Sequence, residues 1–569
     1  MKKSLKALYI FCGLLVISVI SYAQQSASNA KIIPPVINFL LEDRSTIILD
    51  ELKAFPTASG AGMHVTGGRG GKTCFVDTLI DSSNGQYSSH TDSYSGSLRY
   101  CLEENPMMTK TVVFLVGGEF KLTEGDIQVN QKEGGNITIA GQTARNLGGV
   151  HILQGTYRLF FDNIFNVNLR YVDFKQGIAF VGNSVSINAN TVVIDGESYD
   201  IITSIITGVK SFKVGSRVYI IDGDTGNIVS QADGLQFIRV YDVIADHVTT
   251  AYHGDESFSV SGFHGVDDGP REDLKNITVQ RSLMLPGIKG HNVGSLFGGY
   301  AEELSVIHAK NMDIHHNLWV NATHRQPNTG GGPDAKIRIF NNVTYGWHNR
   351  TSNLAGDAKV DIFNNYYKKS PATGSSSQRL DRLFRFDFYH DWTNGSLQPN
   401  IYLAGNYIEG VIEDLNADNW PAINHHRTSD YGMRSTPLSR NFQRNTRLTD
   451  ATNTINVSDA ITAYNDVVND VGEGVRFDSN GDTYYSSPLA VKFINYVVNG
   501  TGPTVIPSSE GWLFPDYPSN SVSRNLFDSD GVPIGWTPPT NVINRAGYSR
   551  QELYFAEMAG DFYRLEKSQ

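Results

Sequence analysis

The residues best equipped for chemistry in this 569-residue chain fall into three polar clusters. The first holds Asp233, Asp246-His247 and Asp255-Glu256; the second is Lys289-Gly290-His291-Asn292; the third is His324-Arg325. Asp255 and His291 are 36 residues apart, and His291 and Arg325 are 34 apart. In a chain that coils with that repeat, acid, His/Lys and Arg converge on one groove, each about one strand spacing (~4.8 Å) from the next. Such a set suits removal of a proton from the carbon beside a uronate carboxylate. A cation on that carboxylate stabilises the enolate-like charge that develops. A nearby base takes the proton, and the glycosidic oxygen leaves by β-elimination. Calcium suits the cation role, because it is a hard ion held by several carboxylate oxygens.

Positioning such groups takes a repeating scaffold, and the sequence contains one. Ile277-Thr278-Val279 leads to Ser282, Met312-Asp313-Ile314 to Asn317, Ile337-Arg338-Ile339 to Asn342, Val360-Asp361-Ile362 to Asn365, and Ile401-Tyr402-Leu403 to Asn406. Apolar residues two apart indicate strands rather than helices. The starts at Met312, Ile337 and Val360 differ by 25 and 23 residues, while the step from Ile277 to Met312 is 35, as if a loop had been inserted. A short strand recurring at a period in the twenties points to a solenoid, whose coils share one core because none can bury its apolar face alone. Asparagine tolerates left-handed backbone and bonds its own chain, so it suits the bend, and stacked asparagines can bond to each other. Asn342 and Asn365 are therefore ladder residues. A β-sandwich with recurrent Asn turns is the alternative. Asn166–Lys175 reads as a further rung, and residues of about 177–232 as a small inserted β element with Gly-Asp turns.

Lys2, Lys3 and Lys6 precede an apolar run from Ala7 to Ile20, and Ser21-Tyr22-Ala23 supplies small residues, so residues 1–23 are expected to be a signal peptide cleaved near Ala23. The run is short for a membrane span, and export, secreted or periplasmic, without an anchor is expected. Cys74 and Cys101 remain; in an oxidising compartment they can pair, and two buried thiols are the alternative. Loss of the three lysines takes the net charge from -11 to -14, which argues against a nucleic-acid partner. A monomer is expected. Residues 24–409 are expected to form the coil stack, and 410–569, which show no repeat, a loop-rich extension packed on it.

Four motifs lie in order near the start: AFPTASGAGMHVTGGRGG from Ala54, GSLR from Gly96, TVVFLVGG from Thr111 and ITIAGQTA from Ile137. Their wording and order resemble the opening of secreted pectate-lyase-like proteins, and the likeness extends to about Thr373. The resemblance implies an all-β, right-handed parallel β-helix with pectate lyase-like activity on an acidic polysaccharide. It implies that Asp233 in QADGLQF and the pair Asp255-Glu256 hold calcium, with Asp246-His247 as the Asp-His of the preceding strand. It also implies that Arg325, in HHNLWVNATHRQP, abstracts the proton. Since an arginine is rarely neutral, the physical alternative is that Arg325 stabilises charge while His324 or His291 takes the proton.

The chain departs from the family at three places. Ser259 and Val260 stand where a further acid is usual. His291-Asn292 stand where a lysine is usual, with Lys289 displaced nearby. Glycines follow the Arg-x-Pro where a second arginine is usual. Arg379, Arg382 and Arg385 can grip substrate carboxylates or form a solvated face, and His315-His316 are expected to be structural. The expected function is lyase action on a uronate polymer, pectate first. A glycoside hydrolase using Asp233, Asp246 and Asp255, or a glycan-binding β-helix without activity, are the other readings.

Overall fold

Short strands with apolar residues two apart gain a core here by stacking. The computed structural model describes residues 52–567 except 106–108, 131–134, 205–207, 224, 263–273, 289–291, 299–308, 349, 375–382, 388–397, 427–435, 449–454, 456, 479, 481, 506–515 and 540–546. Residues 1–23, expected to be a signal peptide, and Lys289, His291, Arg379 and Arg382 thus lie outside the described residues. Among the described residues three long sheets contain twelve, ten and ten strands. Successive turns add one strand to each: Lys310–His315 lies in the first sheet, Leu318–Val320 in the second and Asn328–Gly331 in the third. Pairing from coil to coil is parallel, and the fold is a parallel β-helix. Ile277 pairs with Met312, Met312 with Ile337, Ile337 with Val360 and Val360 with Ile401, the register of the sequence repeat. Val167 pairs with Val243, whose coil has Val248 rather than Asn at the bend and so gives no repeat signature. Inside, Phe161, Phe237, Phe258 and Phe297 follow one another along the axis with ring centres 4.5, 5.8 and 5.9 Å apart.

The bend after the first sheet carries the asparagine ladder. The side-chain amide of Asn317 donates to Asn342 Oδ1 at 3.1 Å, Asn342 to Asn365 at 3.0 Å, Asn365 to Asn406 at 2.9 Å and Asn406 to Asn419 at 3.0 Å. Left-handed backbone falls one residue earlier, at Arg281, His316, Asn341, Asn364 and Gly405. The ladder asparagine is thus chosen for its side-chain bonds and its neighbour carries the turn. Asn342 is buried, and its carbonyl takes both the Asn317 backbone N–H and amide. Asn342→Ala orphans these donors and should lower stability by about 2–3 kcal/mol, read as a fall in the denaturant midpoint; an unchanged midpoint would contradict the ladder's role.

The Ala54–Gly71 segment lies against the outer face of the first sheet. Gly62 N–H donates to Thr278 Oγ1 and Ala61 N–H to Asp313 Oδ2. A Cβ on Gly62 would stand 2.2 Å from the Val243 carbonyl, which explains one glycine of the motif. Cys74 and Cys101 are joined in a disulfide. Between Lys175 and Asp233 the chain builds two small antiparallel sheets, one of Val185–Ile187, Thr191–Ile194 and Glu197–Asp200, the other of Ile202–Thr203, Lys210–Val214, Arg217–Ile221 and Ile228–Ser230.

The C-terminal region is less loop-like than its sequence suggests. Among its described residues are helices α1 (Ala460–Asn469), α2 (Pro488–Asn499), α3 (Arg550–Ala559) and α4 (Asp561–Lys567). Asp459 caps α1, Ser487 caps α2 with proline in its first turn, and Ser549 with Glu552 forms a capping box on α3. These signals are local and carry no period, so a search for repeats passes over them; only the end, NRAGYSRQELYFAEM, resembles in sequence a short helical tail of the same family, and α3 lies there. Val467, Val468, Phe493 and Val497 of α1 and α2 pack on Leu283, Leu318 and Val343 of the second sheet. The helices thereby cover the second sheet, and α3 packs beside Phe75 and Val113 of the first.

Candidate active site

The third sheet begins at the corner where the chain leaves the second, and the acidic residues sit at that corner. Asp233 comes two residues before the strand Leu235–Ile238, Glu256 opens the strand Glu256–Ser261, and Arg325 comes three residues before Asn328–Gly331. Leu235 pairs with Phe258, Glu256 with Val293, and Leu296 with Asn328. That register stacks Asp233, Glu256, Val293 and Arg325 on successive coils. Gly294 N–H donates to the His324 carbonyl at 2.8 Å and Ser295 N–H to the Arg325 carbonyl at 2.5 Å. Arg325 has left-handed backbone, φ 65°, and a Cβ on Gly294 would meet its carbonyl at 1.9 Å. Glycine at 294 is what lets Arg325 sit this close.

The guanidinium of Arg325 reaches back over Val293 to an ion pair with Glu256. Carboxylate oxygens of Asp233, Asp255 and Glu256 lie within 4.8 Å of one another. The Glu256 backbone N–H donates to Asp233 Oδ1 at 3.3 Å, and the Ser259 hydroxyl donates to Asp233 Oδ2. Burial first, then repulsion from Asp255, pushes the Asp233 carboxyl up to about 7; Ser259, Arg158 and Arg325 pull it the other way. Burial lowers the Arg325 guanidinium, and Asp255 and Asp233 oppose that shift. The corner therefore gathers more negative charge than its arginine neutralises. Three carboxylates in that space are a hard, oxygen-only donor set, which fits a calcium-like cation.

The third-sheet face beside this corner carries Ser259, Leu296, Asn328, Asn353 and Arg385 in one row across paired strands. Arg385 Nε donates to Asn353 Oδ1 at 2.6 Å, and its charge acts on Arg325. His324 is partly exposed beside Arg325, and its Nδ1 lies 3.0 Å from Thr323 Oγ1. Asn292 is buried and structural: its amide donates to the Asn321 carbonyl and its oxygen accepts from Gly287 N–H.

Asp246-His247 does not belong to this site. Both are fully buried at the other end of the first-sheet strand Tyr241–Asp246. Asp246 pairs with Arg170 and His247 with Asp470. The carboxylate trio needed for a hydrolase loses Asp246, because that group is committed to a buried ion pair. Sequence reading also missed Arg158, whose Nη1 donates to Gln236 Oε1 at 3.2 Å and whose charge acts on Asp233. The inserted sheets separate the two residues in sequence and hide their common corner.

No family model matches the chain. Curated proteins similar to it include a probable pectate lyase C of Emericella nidulans, 26% identical over 389 residues, covering 67% of this chain and 69% of the relative. Another, from Aspergillus terreus, is 26% identical over 390 residues, covering 66% and 70%. Over about two thirds of its length the chain is thus similar in sequence to probable pectate lyases. Among solved structures, a pectate lyase bound to hexasaccharide aligns with this chain at 12% identity and a TM-score of 0.44, covering 75% of this chain and 99% of that one. No described helix is long and apolar enough to cross a membrane.

Proposed function

We propose that the chain is an exported, monomeric lyase that cleaves a uronate-containing polysaccharide, pectate first, by β-elimination, with calcium as its cation. The observation that carries this reading is the ion pair of Arg325 with Glu256 inside the group Asp233, Asp255 and Glu256. Those three carboxylates would hold the cation, and Arg325 would stand beside the reacting carbon. Bound there, calcium would neutralise the substrate carboxylate and so stabilise enolate-like charge. Neutralised carboxylates would also oppose deprotonation of Arg325 less, and burial already lowers that guanidinium. Arg325 is accordingly the proposed proton abstractor, with His324 its neighbour in reserve; Lys289 and His291 keep the candidate roles given by sequence. Arg385 would bind a second uronate along the row. The signal segment and the Cys74–Cys101 disulfide support export. Incubation with polygalacturonate and calcium should produce an unsaturated uronate, seen as rising ultraviolet absorbance that chelator abolishes. New reducing ends without that absorbance would indicate hydrolysis, and binding with neither would indicate a glycan binder.

The Asp233 shift sets a pH signature. A carboxyl raised in the fold to about 7, against about 4 when unfolded, makes stability fall as pH rises between those values and level off above the higher one. A cation that binds the ionised cluster offsets this, so the rise in melting temperature with calcium should grow from about pH 5 to about pH 8. Ser259→Ala removes a donor to Asp233 and should weaken the gain near neutrality. Equal gains at both ends of the range would overturn this account.

A further inference from the structure

The row of third-sheet residues that ends at Arg385 continues for two strands in the other direction, past the carboxylate corner. Ser259 pairs with Gln236, and Gln236 pairs with Phe160. At that end Arg158 lies over the Phe160 ring at 4.3 Å, and its Nη1 donates to Gln236 Oε1 at 3.2 Å. Seven paired strands thus carry one row, from Phe160 to Arg385, with a guanidinium at each end. Asp233, Asp255 and Glu256 stand beside its second and third strands. Six spacings of ~4.8 Å make the row roughly 29 Å long.

The inserted sheets bring a second guanidinium to the Phe160 end. The hairpin from Lys210–Val214 to Arg217–Ile221 turns at Gly215, φ 60°, and Gln231 N–H donates to the Val218 carbonyl at 2.9 Å. Arg217 therefore opens its strand alongside the residues that lead into Asp233. Its Nη1 donates to the Thr156 carbonyl at 2.5 Å, and its guanidinium lies 5.3 Å from the centre of the Tyr157 ring. Its Nη2 pairs with Asp126 Oδ2 at 2.8 Å, and Arg158 Nε lies 3.8 Å from the same oxygen. The sheet that carries Arg217 is anchored to the coil stack, because Ile220 and Val229 pack on Ile288.

Two guanidiniums thus share one carboxylate. Like charges this close repel, and a single acid offsets only half of their charge, so a second carboxylate would complete the set. Both arginines can meet one from solvent, since the side chains of Arg158 and Arg217 are 30% and 35% exposed. Resting on the lyase reading of the corner between the two ends, we propose that Arg158 and Arg217 form a subsite for a uronate carboxylate. The insertion of residues 177–232 thereby gives the row an anionic anchor opposite Arg385. The ligand is an oligouronate that passes from Arg385 across the carboxylate corner and carries a free, unesterified carboxylate at the Arg158 end. The planar fork of each guanidinium suits two carboxylate oxygens, and the partly exposed Tyr157 ring offers an apolar face to the sugar.

The test is calorimetric titration of the full chain, with calcium present, in an Arg325→Ala background that leaves the probe intact. The probes are octagalacturonate and its fully methyl-esterified form. Arg158→Gln and Arg217→Gln should each weaken binding of the charged probe by about 10-fold and leave the esterified one unchanged. Asp126→Asn keeps an oxygen to accept from the Arg158 backbone N–H, which Asp126 Oδ1 does at 3.0 Å, but removes the competing charge. It should tighten binding of the charged probe by about 3-fold, where a merely structural contact would give a loss. Unchanged affinity in both arginine variants, equal losses on the two probes, or weaker binding in Asp126→Asn would each overturn the proposal. The unsaturated product formed by the parent chain judges the lyase reading separately. Cleavage by the parent with unchanged affinity in the variants removes this subsite alone. Charge-selective losses without cleavage by the parent leave the subsite standing and remove the lyase reading.

Discussion

Arg325→Ala is expected to lower turnover of polygalacturonate by at least about 10³-fold, a loss of about 4 kcal/mol of transition-state stabilisation. The guanidinium is the cation that the coil register brings against Glu256, in the space shared with Asp233 and Asp255. Removing it takes away the proposed proton abstractor and leaves three carboxylates with less compensation. Asp233, already raised to about 7, should then titrate higher still. The variant should fold, because alanine tolerates the left-handed backbone at 325 at modest cost. It should melt lower than the parent near neutral pH, and calcium should restore part of the difference. Arg325→Lys keeps a charge but not the planar fork, and a loss of about 10²-fold or more is expected if the guanidinium itself is needed. His324→Ala should cost little. Substantial activity in Arg325→Ala together with its collapse in His324→Ala would transfer the base role to the histidine.

The coil stack could be read in sequence because its interactions repeat. Each of the strands beginning near Ile277, Met312, Ile337, Val360 and Ile401 solves the same packing problem, so each carries the same residues in the same phase, and the pairing follows that phase. The ladder was legible for the same reason as far as Asn406. Its last member, Asn419, follows after only 13 residues and breaks the period. A second line of contacts at the other end of the first-sheet strands, Asn136 to Asn166 and Asp242 to Asn276, has no fixed residue type and gave no signal. The acids of the corner were visible because adjacent acids at a strand end repel and need a reason to be there. Asp246-His247 had the same look but not the same place. Its partners Asp470 and Arg564, and Asp561, which shares Arg170 with Asp246, lie more than 200 residues later, in helices and loops without period, and nothing in the local pattern announces them.

Those distant partners define the other large effect. Asp561, fully buried at the start of α4, accepts from Arg170 Nη1 and Nη2 at 3.0 and 2.8 Å and from Thr57 Oγ1 at 2.8 Å. Arg170 is buried over the ring of Phe55 and also pairs with Asp246. One guanidinium thus ties the coil stack to the N-terminal segment and to the C-terminal helix. Asp561→Ala strips one carboxylate from a buried cation, and such a loss costs about 3–5 kcal/mol. The expected result is a large fall in the denaturant midpoint, with early tryptic cleavage in α4 at Arg564, while polygalacturonate turnover at low temperature stays near the parent value. Against burial, which raises both, His247 and then Arg170 hold the Asp246 carboxyl, and Arg564 and then Arg281 the Asp470 carboxyl, far below the ordinary range. Groups lowered in the fold stabilise it above their unfolded value of about 4 and lose that contribution only as pH falls through the lower folded values. The contribution of Asp246 and Asp470 should therefore be constant from about pH 5 to pH 8, unlike the calcium effect at the carboxylate corner. Pairing Asp561→Ala with Arg170→Met separates the cost of an orphaned charge from the worth of the ion pair. If the double variant is more stable than Asp561→Ala alone, the stranded guanidinium was the cost. If the two losses simply add, the contact between Arg170 and Asp561 contributes no coupling and the tie between α4 and the coil lies elsewhere.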